Sequence, residues 1–424
     1  MRLLPQTGLW TEPDFLRLWA AQAVSAMGSR FTRTALPIIA ISLLAATPDQ
    51  VALLAALSTA PGFVVGLLAG GLVDRNAKRP LLIGADLVRM VVVGSIPLAL
   101  WLGMLGLWQL YAVAMLAGAA TALFQIADNA YLPALIGKQR LVEANAKLEA
   151  TDAGAEIAGP GLAGILIQTV GTAVTVVADS LTYLWSAVML GRIRRPEPPI
   201  QAEPGELGVL HRLADDLRVG LRHGFRHPVI GPIFLATAAQ TFFGGFFFAL
   251  YMLYVLDVLG LSPAAVGMII GVGGIGALIG SAIAGPMGRR LGVGPALAAA
   301  LLLGQAGSLL IPAAAQAGDW QIPLLVLHQL IGDGFIVVFI IQAVAARQVL
   351  LPTAVLGRVN ATLHVATGVM LPVATIIAGA LATQLGVEMT VWIGVIGGLL
   401  APLPLLAPSV LRLRTLEIPK ESQA

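Results

Sequence analysis

The sequence predicts an all-α membrane protein: twelve transmembrane helices in two pseudo-symmetric six-helix bundles. Three observations predict it. Of 424 residues 58% are hydrophobic and only 11% charged, with mean hydropathy +0.88. A soluble domain carries about a quarter charged residues, so this chain lacks the polar groups to cover a water-facing surface. The apolar residues also fall in runs of roughly 20, the length that crosses a bilayer as a helix. Finally, the chain repeats on itself at an offset of 215 residues. The absence of cysteine removes disulfide scaffolds and cysteine-based zinc modules. A net charge of +3 is scattered over short loops without the continuous basic patch that nucleic acid requires.

The first span runs from Phe15 to Ala46. The others follow at 50–73, 80–103, 107–132, 145–168, 171–192, 229–257, 263–287, 293–315, 321–346, 357–384 and 389–411. No cleavable leader is expected, since Leu9-Trp10-Thr11-Glu12-Pro13-Asp14 leads directly into a stretch too long for a signal-peptide core. Orientation follows from Lys and Arg, which concentrate on the cytoplasmic side. Of 25, only Arg30, Arg33 and Arg89 lie deep inside spans; the rest sit at span ends, at the N-terminus, in alternate loops or in the tail. The remaining loops hold only acids such as Asp49, Asp319 and Glu388. Both termini are therefore expected in the cytoplasm, with the chain in the inner (plasma) membrane.

Residues 193–228 form the longest polar segment. Pro196, Pro198 and Pro199 make its first part non-helical. Leu210, Leu213, Leu217, Leu221 and Phe225 then recur at helical spacing opposite Arg212, Asp216, Arg218 and Arg222, the pattern of an amphipathic helix on the inner membrane face. The expected division is a bundle over 1–192, a linker over 193–228, a second bundle over 229–412 and a cytoplasmic tail over 413–424.

The offset of 215 aligns Gly70 with Gly285, Arg75 with Arg290, Asn145-Ala146 with Asn360-Ala361, and Ala163-Gly164 with Ala378-Gly379. Parallel repeats of this kind build secondary transporters, with the substrate path between the halves. Gly70-Gly71-Leu72-Val73-Asp74-Arg75-Asn76-Ala77-Lys78-Arg79, between spans two and three, resembles the cytoplasmic loop motif of the major facilitator superfamily, with Ala77 where that family usually has glycine. The second-half echo, Gly285-Pro286-Met287-Gly288-Arg289-Arg290, lacks the acid. Ala155-Glu156-Ile157-Ala158-Gly159-Pro160-Gly161-Leu162-Ala163-Gly164 in span five resembles the antiporter motif of drug–proton exporters. Its physical content is a bend at Pro160 beside a small-residue face, Gly159, Ala163 and Gly164, that admits close helix packing. Ala35-Leu36-Pro37, Ala85-Asp86-Leu87-Val88-Arg89, Arg226-His227-Pro228 and Gly357-Arg358-Val359-Asn360 are similar to the branch holding the enterobactin exporter and macrolide efflux proteins. The resemblance implies export of a small amphiphilic molecule (drug, macrolide or siderophore) by alternating access and proton antiport. It also implies that Asp74 and Arg75, with Gly70, Lys78, Arg79, Asp86 and Arg89, form a cytoplasmic latch that holds one access state.

Ionisable groups inside spans cost roughly 3 kcal/mol or more at mid-helix, so each is a functional candidate. Span five carries Asn145, Glu149, Asp152 and Glu156 on one helical face. Glu156 lies about 16 Å from the inner end of that span, near the middle of the core. We expect Glu156, with Asp152 and Glu149, to carry the coupled proton; the alternative is a permanent structural ion pair. Arg30 and Arg33, three residues apart, line the expected substrate cavity with Asp179 of span six and Asp333 of span ten. The arginines either bind an acidic or chelating cargo or pair with Asp179 or Asp333. His223 and His227 are read as surface residues, and no metal site is expected.

Neither a nucleotide phosphate loop nor a hydrolase motif occurs in the sequence, so direct ATP drive and an enzyme are not expected and no cofactor is implied; the resemblance implies the proton gradient as the energy source. The expected partners are a small-molecule substrate and the bilayer, with no nucleic acid, for a monomeric chain. Two other readings stay open: an uncoupled or importing carrier of a lipid or nutrient, and a non-transporting membrane sensor.

Overall fold

The computed structural model describes residues 8–197 and 209–415, with the side chains at 67–68, 70–71, 74, 209–216 and 353–354 outside that description. Among the described residues every regular element is helical. The first half contains α1 (Pro13–Ile38), α2 (Pro48–Arg75), α3 (Lys78–Trp101), α4 (Leu107–Ile136), α5 (Leu141–Val170) and α6 (Thr172–Gly191). After α7 (Val209–Arg226) come α8 (Ile230–Leu253), α9 (Pro263–Leu291), α10 (Val293–Gly307), α11 (Leu310–Ala313), α12 (Gln321–His328), α13 (Gly334–Leu350), α14 (Thr353–Leu385), α15 (Val387–Gly398) and α16 (Pro408–Leu411). Eleven helical stretches among the described residues are long and apolar enough to cross a membrane. Beside them stands α1, whose 26 residues include Asp14, Arg17, Arg30 and Arg33.

Local chemistry starts and stops these helices. Pro13 and Pro48 occupy first-turn positions, where the missing N–H removes a donor that has no helical acceptor. The N–H of Thr47 donates to Gln50 Oε1 at 3.0 Å, half of a capping box. Pro312 has no N–H for the carbonyl of Ser308, and the ninth span breaks there between α10 and α11 instead of running unbroken over 293–315. In the twelfth span α15 ends at Gly398, and Pro402, Pro404 and Pro408 confine the rest to a 3-10 turn and the short α16.

The repeat read from the sequence is present in the backbone. One wide π-turn spans Ile39–Leu43 and another Tyr254–Val258, 215 residues on. Left-handed backbone follows the same register: Ala45 matches Gly260, Gly103 matches Gly318, and Gly171 matches Gly386. Pro48 and Pro263 open α2 and α9 at equivalent places. These are coincidences of geometry that apolar composition cannot produce.

Contacts divide the chain into two compact units: Met1–Gly205 with Leu261–Gly271, and Glu206–Gly260 with Val272–Ala424. In the first, Phe15, Leu18, Leu82, Tyr131 and Leu190 form a fully buried core. In the second, Ile230, Leu297, Leu301, Phe339 and Leu405 do the same. Lipid tails are as apolar as these side chains, so tight van der Waals packing and interhelical hydrogen bonds hold such bundles together. Close helix approach is visible where Gly161, Gly164, Gly267 and Gly271 bring α5 against the first turns of α9, backbone to backbone.

The linker, expected to carry an amphipathic helix on the membrane face, leaves Leu221 and Phe225 exposed. Its prolines Pro198 and Pro199 lie outside the described residues, as do the side chains of Leu210, Arg212, Leu213 and Asp216. The rest of α7 packs onto α14: Gly220 abuts Arg358 and Thr362, and Gly224 lies against Val359. The Phe225 ring sits 4.8 Å from that of Phe234.

Candidate functional site

Helix α1 faces α5 in the first unit, and the charges of both helices meet there. Arg30 Nη2 donates to Asp152 Oδ1 at 2.9 Å. Arg30 Nε lies 2.6 Å from Glu156 Oε2, a charge contact off the N–H direction. Arg33 donates to the other Glu156 oxygen. Glu156 thus bridges two guanidinium groups, and Arg30 bridges two carboxylates. The sequence explains the meeting: three-residue steps keep Arg30 with Arg33 on one face of α1, and a four-residue step does the same for Asp152 and Glu156 on α5. Gly159 completes it. A Cβ there would fall 2.6 Å from Arg30 Cβ, so only glycine lets the arginine stem pass between the helices.

Exposure distinguishes the members. The Arg30 side chain is 16% exposed, while Arg33 (53%), Asp152 (56%) and Glu156 (41%) are open. Three half-open charges cannot face hydrocarbon, so this face of α1 and α5 borders water or cargo. Glu149 is exposed on the same helix and, among the described residues, makes no ion pair.

Asp179 is not the arginines' partner. It is fully buried on α6, where Thr182 Oγ1 donates to it at 3.2 Å, and Gly28 of α1 packs directly on its carboxylate. Asp333 lies in the second unit, in a cavity of its own. Asp86 and Arg89 pair with each other inside the bundle, with the Arg89 guanidinium 4.6 Å from the ring centres of both Phe124 and Tyr183. A cation between two aromatic faces is stabilised there by about 2 kcal/mol or more when desolvated.

Near the motif loop, Gly70 and the Asp74 side chain lie outside the described residues, and Arg75 is exposed. Lys78 and Arg79 begin α3, and their backbone N–H groups donate to the two Glu197 oxygens at 2.7 and 2.8 Å. A carboxylate at a helix N-terminus satisfies orphan donors and complements the dipole. Arg79 Nε also donates to the carbonyl of Leu190 at 2.8 Å and its Nη2 to that of Gly191, fastening α3 to the end of α6. In the run around the bend of α5, Gly159, Pro160, Ala163 and Gly164 are all buried.

Several polar residues escaped the sequence reading. Gln22 donates to Asp128 Oδ1 at 2.6 Å between α1 and α4; an isolated acid late in span four was the available signal. Glu197 hid in a proline-rich segment. His227 Nδ1 accepts the N–H groups of Val229 and Ile230 at 3.2 Å, capping α8, so it is half-buried structure and not bare surface. Burial lowers its imidazole below the ordinary value.

The sequence profile of the Major Facilitator Superfamily matches residues 18–352. A curated relative, macrolide efflux protein A of Streptococcus pyogenes, is 24% identical over 183 residues, 43% of this chain and 45% of that protein. The chain therefore spans under half the length of the curated relatives it matches. In fold, it superimposes on a bacterial homologue of the iron transporter ferroportin in its inward-facing state, at a TM-score of 0.78 and 15% identity, covering 95% of this chain and 100% of the other. An auto-inhibited peptide transporter of the POT family gives 0.70 at 12% identity, covering 97% and 99%. The nucleoside transporter NupG gives 0.69 at 12%, covering 93% and 99%. At these identities the likeness is one of fold.

Proposed function

The chain belongs to the Major Facilitator Superfamily, and from that premise we propose that this transporter exports a small amphiphilic molecule by proton antiport. The observation that carries the reading is the Glu156 carboxylate, placed between Arg30 and Arg33 on an open, charged face within a membrane-spanning helix. A proton and the guanidinium groups compete for the same carboxylate oxygens. Protonation of Glu156 releases Arg33 and half of the Arg30 interaction, loosening α1 from α5; deprotonation restores the bridge. A group whose proton is exchanged for a helix–helix contact biases two conformations, and a cargo that favours one of them is thereby coupled to the proton.

Export is favoured by the similarity to macrolide efflux protein A and by the antiporter-like run around Pro160, now seen to frame the Arg30 stem through Gly159. The energetics suffice. One proton moving down 100 mV releases about 2.3 kcal/mol, enough for roughly a 40-fold gradient of a neutral solute at about 1.4 kcal/mol per decade.

The test is reconstitution into sealed proteoliposomes with a pH-sensitive dye inside. Cargo added under an imposed pH gradient is expected to move protons in the opposite direction. Cargo flux without proton movement refutes antiport and returns the uncoupled carrier.

A further inference from the structure

Inside the second unit lies a cavity of about 130 Å³. Its wall includes Phe243, Phe247 and Tyr251 of α8, Tyr254 of the following π-turn, and His328 and Asp333. Drug-sized pockets run to about 300–1,000 Å³, and a water molecule fills about 30 Å³. The space therefore suits a head group, not a whole ligand.

Two polar groups in that wall lack partners among the described residues. Tyr251 is 6% exposed, and its hydroxyl makes no hydrogen bond. Asp333 makes neither a hydrogen bond nor an ion pair, and the lining contains no Lys or Arg to neutralise it. Its position is built. The π-turn Gln329–Asp333 inserts an extra residue between α12 and α13, a distortion that recurs at functional sites. Gly273 clears the space opposite, since a Cβ there would fall 2.6 Å from Asp333 Oδ2. His328 is occupied elsewhere: its Nδ1–H donates to the Gly307 carbonyl at 3.2 Å. Buried donors and acceptors are ordinarily satisfied, and an uncompensated carboxylate among apolar helices is costly.

Aromatic rings around a lone carboxylate form a receptor for a desolvated organic cation. The Phe247 and Tyr251 rings stand 4.5 Å apart, and the His328 ring is 5.8 Å from Phe247. Ring quadrupoles attract a cation in addition to the Coulomb term, and aromatic cages are a recurrent solution for alkylammonium groups. A metal ion would need several charged donors converging, whereas Asp333 is the one carboxylate in a lining of rings and apolar side chains whose other polar groups, Gln240, Gln305 and Ser308, carry no charge.

We propose that this cavity binds the alkylammonium group of the cargo, with Asp333 as its counter-ion, Phe243, Phe247 and Tyr254 around its methyl groups, and the Tyr251 hydroxyl free for a cargo oxygen. The cargo class is then a cationic amphiphile. This rests on the reading of the chain as a carrier of small amphiphiles, and not on the direction or coupling of transport.

The probes are benzyltrimethylammonium and neopentylbenzene, which share a shape and differ in charge. Binding is measured calorimetrically on the purified full chain in lipid nanodiscs, without any gradient. The cation is expected to bind at least tenfold more tightly than its neutral isostere. Asp333→Asn is expected to remove that preference at least tenfold while leaving neopentylbenzene binding and the melting temperature unchanged. Equal affinity of the two probes overturns the proposal, as does full cation preference in Asp333→Asn. If that variant does not fold, the wild-type comparison of the two probes still decides. A coupled exporter indifferent to charge sinks only this inference; cation binding without coupled proton flux sinks only the antiport reading.

Discussion

Replacing Glu156 by Gln removes one negative charge and keeps the shape. The structure sets the size of the effect. Arg30 loses its 2.6 Å contact and retains Asp152 at 2.9 Å, while Arg33, already half exposed, loses its carboxylate partner. Exposed pairs are worth about 0.2–1 kcal/mol each; with Glu156 41% open, two of them sum to roughly 0.4–2 kcal/mol. The variant therefore inserts and folds, with a melting temperature lowered by a few degrees. Transport is expected to change far more. In proteoliposomes the rate of cargo movement should lose its dependence on an imposed pH gradient, and dye-reported proton flux should fall to background. A double-mutant cycle with Arg30→Gln should return a coupling energy of about 1 kcal/mol, since both changes act on one contact. Full gradient-dependent transport in Glu156→Gln refutes the reasoning, whatever the stability change.

The other predictions follow from single contacts. Gly159→Ala places a Cβ 2.6 Å from that of Arg30; overpacking of this kind costs about 1–3 kcal/mol, and thermal denaturation should show that loss together with weakened Arg30 pairing in a repeat of the Glu156 cycle. His227 has its imidazole lowered by burial, so the folded state favours the neutral ring. Its stabilising contribution is present above about pH 6.5, the ordinary imidazole value, and is lost as pH falls through the lower folded value. The melting temperature should decline between pH 7.5 and 5.5, and His227→Asn, which keeps a capping acceptor, should flatten that slope. Ala45 holds φ at 47°, where its pseudo-symmetric counterpart is Gly260. Left-handed backbone costs an L-residue about 1–2 kcal/mol, and glycine's extra chain entropy returns about 0.5–1 kcal/mol of that. Ala45→Gly should raise stability by about 0.5 kcal/mol, read as a small rise in melting temperature.

The spans and the repeat were legible because hydropathy and glycine register are properties of one chain segment at a time. The ion pairs were not. Helical spacing correctly put Arg30 with Arg33 and Asp152 with Glu156, yet it says nothing about which helix stands opposite which. The sequence reading therefore offered the arginines Asp179 or Asp333, and the pairing with span five emerged only when α1 and α5 were seen together. Tyr251 and Phe247 read as ordinary core, since an aromatic in an apolar run carries no mark of an unfilled hydroxyl. The π-turns were silent too, because a change from four-residue to five-residue closure needs no special composition. Glu197 caps α3 from a segment whose prolines advertised only the absence of helix.

The matched π-turns and left-handed positions have a consequence for engineering. At the same offset Arg30 corresponds to Gly245, Arg33 to Phe248, Asp152 to Thr367, Glu156 to Leu371, and Asp333 to Gly118. The halves share a skeleton without sharing a chemistry, so each copy of the scaffold demonstrably closes without the other's ionisable set. On the readings proposed above, selectivity and energisation are separable modules on a duplicated frame, and transplanting one half's polar inventory onto its sibling is a rational route to a carrier with altered appetite.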